Sequence, residues 1–255
     1  MYNIVDLTNK KIVITGASSG IGRQVAITVS RLGGKVIAVA RREDKLIETI
    51  SMLEGLGHSY YVCDLSACDK IVELFDRIKN DNGKVDGLVY AAGISKIIPI
   101  NFLTKERVRE VFDTNFNAFI ESVRQICKKG RYNDGMSIVV ISSVDSVIGS
   151  RGNTAYSSSK AAINGAVRCI ACELAVKGVR INSVMPGMTD TKMYQDFLEN
   201  TGGDVSDANN KLLQRQYLGI GKVEDVANVV AFLISPATRF VTGICLPVDG
   251  GQTSN

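Results

Sequence analysis

The chain has no tryptophan, one histidine, four prolines and only 6% aromatic residues among its 255 positions. The single histidine, His58, is remote in sequence from the one close cysteine pair, Cys169 and Cys172. No second C-x-x-C accompanies that pair, so the ligands of a structural zinc site or of a metal-dependent alcohol dehydrogenase are missing. No apolar run approaches the ~20 residues of a membrane span. Met1 to Lys10 lacks the basic head and apolar stretch of a signal peptide, so a cytoplasmic protein with no membrane partner is expected. The net charge of +4 is mild and scattered, which gives no support for nucleic-acid binding. The six cysteines are expected to be free thiols buried as small apolar residues.

What is present is a regular alternation. Apolar, β-branched runs at 11–15, 35–40, 59–63, 86–91, 137–142, 179–185 and 243–248 read as strands. Helical periodicity fills the intervals near 20–32, 43–55, 67–81, 104–129, 154–177 and 222–234. Near-continuous apolar strands with intervening helices indicate a sheet covered on both faces. With 45% hydrophobic residues and no repeat or linker, residues 1–255 are expected to form one doubly wound Rossmann-type α/β domain around a mostly parallel seven-stranded sheet. Residues 186–221 break the rhythm with Pro186-Gly187, Met193, Tyr194, Phe197 and Leu198, then a polar Gly/Asn/Asp stretch. Following the sixth strand, at the carboxyl edge where open α/β sheets bind ligands, this segment reads as a substrate lid or as a surface excursion.

The segment Thr15-Gly16-Ala17-Ser18-Ser19-Gly20-Ile21-Gly22 joins the first strand to the first helix. Gly16 suits a tight turn, Gly20 a close backbone approach to a pyrophosphate, and Gly22 close helix packing. The helix start offers unpaired N–H groups to phosphate. The end of the second strand selects the dinucleotide. An acidic residue there would favour NAD, whereas this chain has Ala40, Arg41 and Arg42. Guanidinium groups pair well with a 2′-phosphate, so NADP(H) is expected over NAD(H), against the alternative that both arginines are a solvated helix start. Asp64 suits either an adenine amine or a helix cap.

Tyr156 and Lys160 lie one turn apart if 154–177 is helical, on the same face. An ammonium there favours the phenolate and is expected to pull the tyrosine pKa toward neutrality. Asp145, just beyond Ser143, places a charge near the mouth of such a site. It points to a polar substrate or is a solvated loop carboxylate.

These motifs together resemble the short-chain dehydrogenase/reductase family: TGASSGIG at 15–22, CDL at 63–65, AAG at 91–93, Asn115, Ser142-Ser143, Tyr156 with Lys160, Asn182, Pro186-Gly187 and VDGG at 248–251. The resemblance covers nearly the whole chain. It implies a catalytic set of Asn115, Ser143, Tyr156 and Lys160. Tyr156 would exchange the proton with the carbonyl or alcohol oxygen, Ser143 would hydrogen-bond that oxygen, and Lys160 would hold the nicotinamide ribose and lower the Tyr156 pKa. Asn115 would interrupt its helix and hold a water of the proton relay. The resemblance also implies cofactor contacts from Gly16, Ser18, Ser19, Gly20, Ile21, Gly22, Arg41, Arg42, Asp64, Leu65, Ala92 and Gly93. Further contacts would come from Tyr156, Lys160, Pro186, Gly187, Thr189 and Thr191, the last with the alternative of a helix cap. It implies a homotetramer or homodimer.

One position departs from the family pattern: Tyr90 stands where the family usually has the first asparagine of N-N-A-G, a residue that braces the sheet. Within the family the pattern is most similar to 3-oxoacyl-[acyl-carrier-protein] reductases. The implied reaction is reduction of a 3-oxoacyl thioester, with an acidic carrier docking on Lys128, Lys129, Arg131 and Lys177, against the alternative that these cations only end helices, where the macrodipole favours them. Two alternatives stand beside it: a polar sugar-derived or polycyclic ketone or alcohol, and a dinucleotide-binding regulatory protein without turnover.

Overall fold

A computed structural model of the chain describes residues 3–200 and 215–254. Seven strands form one sheet: β1 Lys11–Thr15, β2 Lys35–Ala40, β3 Ser59–Val62, β4 Val85–Tyr90, β5 Tyr132–Ile141, β6 Arg180–Pro186 and β7 Cys245–Val248. Their order is β3-β2-β1-β4-β5-β6-β7 and every pairing is parallel. The chain reverses its direction of growth at β1, which pairs with β2 on one side and β4 on the other. That reversal opens a crevice beyond the carboxyl ends of the strands, where a doubly wound fold binds its ligand.

Parallel strands need crossovers, and the helices supply two covering layers. Helices α1 Gly20–Arg31, α2 Glu43–Ser51 and α8 Val223–Ile234 cover one face, burying Val25, Val29, Leu46, Val226 and Val230. Helices α3 Cys68–Asn82, α5 Ala118–Ile126 and α6 Thr154–Ala175 cover the other with Ile71, Phe75, Phe119, Val123, Ile163 and Val167. The remaining helices are α4 Lys105–Phe112 and α7 Lys192–Asn200. Among the described residues no helix is long and apolar enough to cross a membrane.

Three element boundaries differ from the sequence expectation. The helix expected over 43–55 stops at Ser51, and the chain then turns through Gly55 and Gly57 at positive φ. Strand β5 starts at Tyr132, ahead of the apolar run at 137–142. Asn133-Asp134-Gly135 continues the strand through an irregularity in which Gly135 takes φ 77° and the β4–β5 register shifts. The helix expected over 104–129 is α4 and α5 joined by a π-helical turn, Asp113–Asn117, with Asn115 inside it. Asn115 was expected to interrupt this helix, and it does so at a π-turn, a common feature of functional sites.

Tyr90 occupies the position of the expected bracing asparagine and is fully buried. Its hydroxyl donates to the Thr114 carbonyl at 2.7 Å, and its ring packs on Phe119 with centroids 5.6 Å apart. The phenol thus ties the end of β4 to the π-turn beside Asn115. The thiols are less uniformly buried than expected: Cys63 is buried, whereas Cys169 and Cys172 are exposed on α6. Tyr90→Phe keeps the ring contact and leaves the part-buried Thr114 carbonyl without this donor. It is expected to cost about 1–3 kcal/mol, read as a lower denaturation midpoint at unchanged m-value.

Candidate active site

One cavity of about 550 Å³ opens at the carboxyl ends of the strands and reaches the first glycine loop, the ends of β4 and β5 and the start of α6. The glycine loop is fixed by backbone proximity. Thr15 Oγ1 accepts from the amides of Ala91 and Ala92 at 3.1 and 3.2 Å, drawing the ends of β1 and β4 together. Gly16 takes φ +67°, and a Cβ there would meet the Ala91 carbonyl carbon at 2.8 Å. At Gly22 a Cβ would lie 2.4 Å from the Gly16 oxygen, so α1 starts directly against the loop. Ser19, at the N-cap of α1, makes no side-chain cap, which leaves first-turn amides for a phosphate.

Residues around this cradle fit a dinucleotide. Arg42 donates to Ser18 Oγ at 3.2 Å and to Ser19 Oγ at 3.3 Å, so a guanidinium is already held at the end of β2, with Arg41 also lining the cavity. Asp64, Leu65, Ala92 and Gly93 line the same wall, as do Ile21 and Gly20. Asp64 does not cap α3, whose N-cap is Ala67; its Oδ1 accepts from the amide and hydroxyl of Ser66. Thr191 does cap α7, accepting from the Tyr194 amide at 3.3 Å, and its methyl stands 3.6 Å from where a Cβ at Gly20 would be. Pro186, Gly187 and Thr189 complete the far end. Gly187 has no room for a side chain, because a Cβ would lie 2.6 Å from Gln216 Oε1 and 2.9 Å from the Asp249 backbone. The expected lid is described only at its two ends. Lys192, Met193 and Tyr194 of α7 line the cavity, Gln216 braces Met188, and residues 201–214 lie outside the described residues.

Three of the four expected catalytic residues, Ser143, Tyr156 and Lys160, line this cavity, and Asn115 is buried behind its wall. Tyr156 and Lys160 project from the first turns of α6, with the ammonium 5.6 Å from the ring centroid. Lys160 Nζ donates to the Ile141 carbonyl at 2.8 Å, and Ser142 Oγ donates back to the Lys160 carbonyl at 3.1 Å, clamping α6 to the end of β5. Ser143 heads the one-turn 3₁₀ segment Val144–Ser146, its hydroxyl accepting from the Asp145 amide at 3.1 Å. Asn115 is fully buried and acts as a clamp. Its Oδ1 accepts from the Ile94 amide, and its Nδ2 donates to the Ile94 carbonyl and to Ser159 Oγ.

The electrostatics differ from the spacing argument. Burial and the Asp145 carboxylate push the Tyr156 phenol up to about 12, opposed only by the Ser143 hydroxyl. The expectation of a lowered phenol overlooked both, since helical spacing says nothing about desolvation or about a carboxylate across the cavity. Burial lowers the Lys160 ammonium to about 8. Burial also raises the Asp145 carboxyl, against the hydrogen bonds from Ser150 and Asn153.

Sequence reasoning did not single out Asn153, Ser150, Met188 or Gln252, all of which line the cavity. Asn153 carries a signal in hindsight, since it stands three residues before Tyr156 at the helix start. The basic cluster behaves differently from its expectation. Arg131 is buried, donating to the Gln125 side chain and pairing with Asp76. Lys128 and Lys129 precede β5 and Lys177 precedes β6, at the amino ends of strands. Within one chain they lie at the edge of the sheet opposite the cavity.

The fold and this site define a nicotinamide-dinucleotide-dependent oxidoreductase. Residues 16–253 match the family model described as Enoyl-(Acyl carrier protein) reductase. The L-xylulose reductase of Caenorhabditis elegans is 33% identical over 98% of this chain and 98% of that protein. The 3-oxoacyl-[acyl-carrier-protein] reductase of Thermotoga maritima is 32% identical over 96% and 98%. The structure of an aldohexose dehydrogenase from Thermoplasma acidophilum superposes with a TM-score of 0.88 at 29% identity, covering 99% of this chain and 97% of that one. The chain belongs to the short-chain dehydrogenase/reductase family.

The electrostatic link between Asp145 and Tyr156 is testable by pH. Asp145→Asn removes a negative charge that holds the phenol up, so the Tyr156 pKa falls. The limb of the rate profile on which a protonated Tyr156 is lost is expected to move to lower pH, measured as kcat/KM for reduction across the alkaline range.

Proposed function

We propose that the protein reduces a ketone to a secondary alcohol with NADPH, the chemistry residing on Ser143, Tyr156 and Lys160. The convergence of these three side chains with the glycine cradle in one cavity carries the reading. A nicotinamide bound at this cradle supplies the hydride. Tyr156 donates its proton to the carbonyl oxygen, and a positive charge beside the ring offsets the weaker acidity that burial and Asp145 impose on the phenol. Ser143 hydrogen-bonds the same oxygen and stabilises the charge that develops there. Lys160, buried beside the ring, holds a positive charge under the phenol as it loses its proton and restores it through the polar groups around Asn115. Asn115 positions the loop after Gly93 through Ile94.

The preference for NADPH rests on Arg42, held beside Ser18 and Ser19 where a 2′-phosphate would sit, and on the lack of a carboxylate at Ala40. The α7 segment, with Met193 and Tyr194, forms the outer wall and acts as the substrate-covering lid. For the substrate itself, the relatives named as 3-oxoacyl-[acyl-carrier-protein] reductases support an acyl thioester. The part-buried Asp145 favours a polar carbonyl compound instead, because an alkyl chain further desolvates the carboxylate and adds no donor to those from Ser150 and Asn153.

Tyr156→Phe is expected to lower kcat on the order of 10²–10⁴-fold with NADPH binding retained. Turnover near the wild-type value would defeat the tyrosine assignment. Steady-state kinetics are expected to give a higher kcat/KM with NADPH than with NADH. Arg42→Glu is expected to reduce the NADPH value roughly 10- to 100-fold while sparing the NADH value.

A further inference from the structure

The wall of the cavity opposite the glycine loop is unusual in its hydrogen-bond polarity. Asp145 lies two residues beyond Ser143 and close enough to Tyr156 to raise its pKa. Its Oδ1 accepts from Ser150 Oγ at 2.8 Å and its Oδ2 from Asn153 Nδ2 at 2.9 Å. A carboxylate offers about four acceptor positions, so two neutral donors leave acceptor capacity over. Among the described residues no lysine or arginine pairs with Asp145.

Asn153 extends the same polarity. Because its NH₂ faces Asp145, the orientation of the amide is fixed and Oδ1 is the atom left over. That oxygen is buried and has no hydrogen-bond partner, in a residue only 6% exposed. Asn153 also occupies the N-cap position of α6, yet its side chain caps nothing. A capping asparagine is ordinarily worth about a tenfold shift in helix stability, and here the side chain is diverted to the cavity wall instead. Gln252 repeats the pattern from the C-terminal turn: it lines the cavity, is 6% exposed, and its Oε1 has no partner. Asn153, Gln252 and the part-buried Asp145 thus line one cavity with Ser143 and Tyr156, the two orphaned amide oxygens lying just behind its surface. A buried acceptor without a protein partner is answered by an ordered water or by a donor that a ligand brings.

We propose that the substrate is a polyhydroxylated carbonyl compound whose hydroxyls donate to Asp145, Asn153 and Gln252 while its carbonyl oxygen meets Ser143 and Tyr156. This rests on the carbonyl-reductase reading above and names the substrate class for it. An acyl chain brings no donors to this wall. A cationic amino ketone answers Asp145 alone and leaves both amide oxygens as they are. A polyol chain brings several donors along its length, each a neutral group that does not oppose the Lys160 ammonium. A site built to hydrogen-bond a substrate hydroxyl rejects the analogue that lacks it far more strongly than an apolar pocket rejects an extra group.

The test compares 1,3,4-trihydroxybutan-2-one with butan-2-one, which share one carbon skeleton, and includes a 3-oxobutanoyl thioester and 4-(dimethylamino)butan-2-one. NADPH oxidation is followed for wild type, Asp145→Asn and Asn153→Ala. Wild type is expected to favour the trihydroxy ketone over butan-2-one by on the order of 10²-fold in kcat/KM. Because an α-hydroxyl also activates a ketone chemically, the decisive reading is the change in this ratio. It is expected to fall at least tenfold in each variant, with NADPH binding unchanged. A loop-bracing role alone would lower both substrates together and leave the ratio as it was, which overturns the proposal. Preference of wild type for the thioester, the amino ketone or butan-2-one also overturns it, with the reductase reading intact. Binding of NADPH without oxidation by any of the four defeats both. If one variant does not fold, the other decides, with Gln252→Leu as the third member of the series.

Discussion

The bond from Lys160 Nζ to the Ile141 carbonyl is the constraint on which the site depends. It places an ammonium in the interior, with burial lowering its pKa to about 8, directly beneath the phenol that the reaction uses. A buried cation is costly unless it is hydrogen-bonded. Here the acceptor is the last residue of β5, so the cost of burial is offset only while α6 sits against the strand end. The return bond from Ser142 Oγ to the Lys160 carbonyl makes the contact reciprocal. Everything that faces the cavity from α6 and from the β5 loop inherits its position from this pair of bonds.

Around this contact the other parts have separate duties. The glycine loop is a problem of space: Gly16, Gly22 and Gly187 sit where a Cβ would strike backbone or side-chain atoms. Asn115 is a problem of connectivity, its amide bridging the Ile94 backbone to Ser159 on α6 while Tyr90 holds the π-turn from below. Tyr156 is a problem of charge. Burial and Asp145 raise the phenol pKa, and the Lys160 ammonium lies 5.6 Å from the ring centroid.

Much of this was legible in the residues. The strand runs from Lys11 to Val248 follow from β-branched periodicity, and the doubly wound order follows from strands that alternate with helices. The glycine loop, Ser143, Tyr156 and Lys160 are local patterns whose chemistry depends on spacing, and they meet in the cavity. The signals that failed are those that depend on what lies across space. The apolar run at 137–142 omits the first residues of β5, which an irregular register lets start at Tyr132. Arg131 looks like a surface cation, but Asp76 and Gln125 hold it inside. The direction of the Tyr156 shift is set by desolvation and by Asp145, neither of which four-residue spacing contains. Asn153 and Gln252 are invisible in sequence because an orphaned oxygen is a property of the packed site alone.

The most direct test of this account is the titration of Lys160. Proteins labelled at the lysine side chains are followed by NMR over pH 6–11, with the Lys160 signal assigned by its loss in Lys160→Met. A midpoint near pH 8 is the predicted result, the signature of an ammonium buried against the end of β5. A midpoint at the ordinary lysine value of about 10.5 would contradict it, since the ammonium would then be solvated and the clamp between α6 and β5 absent.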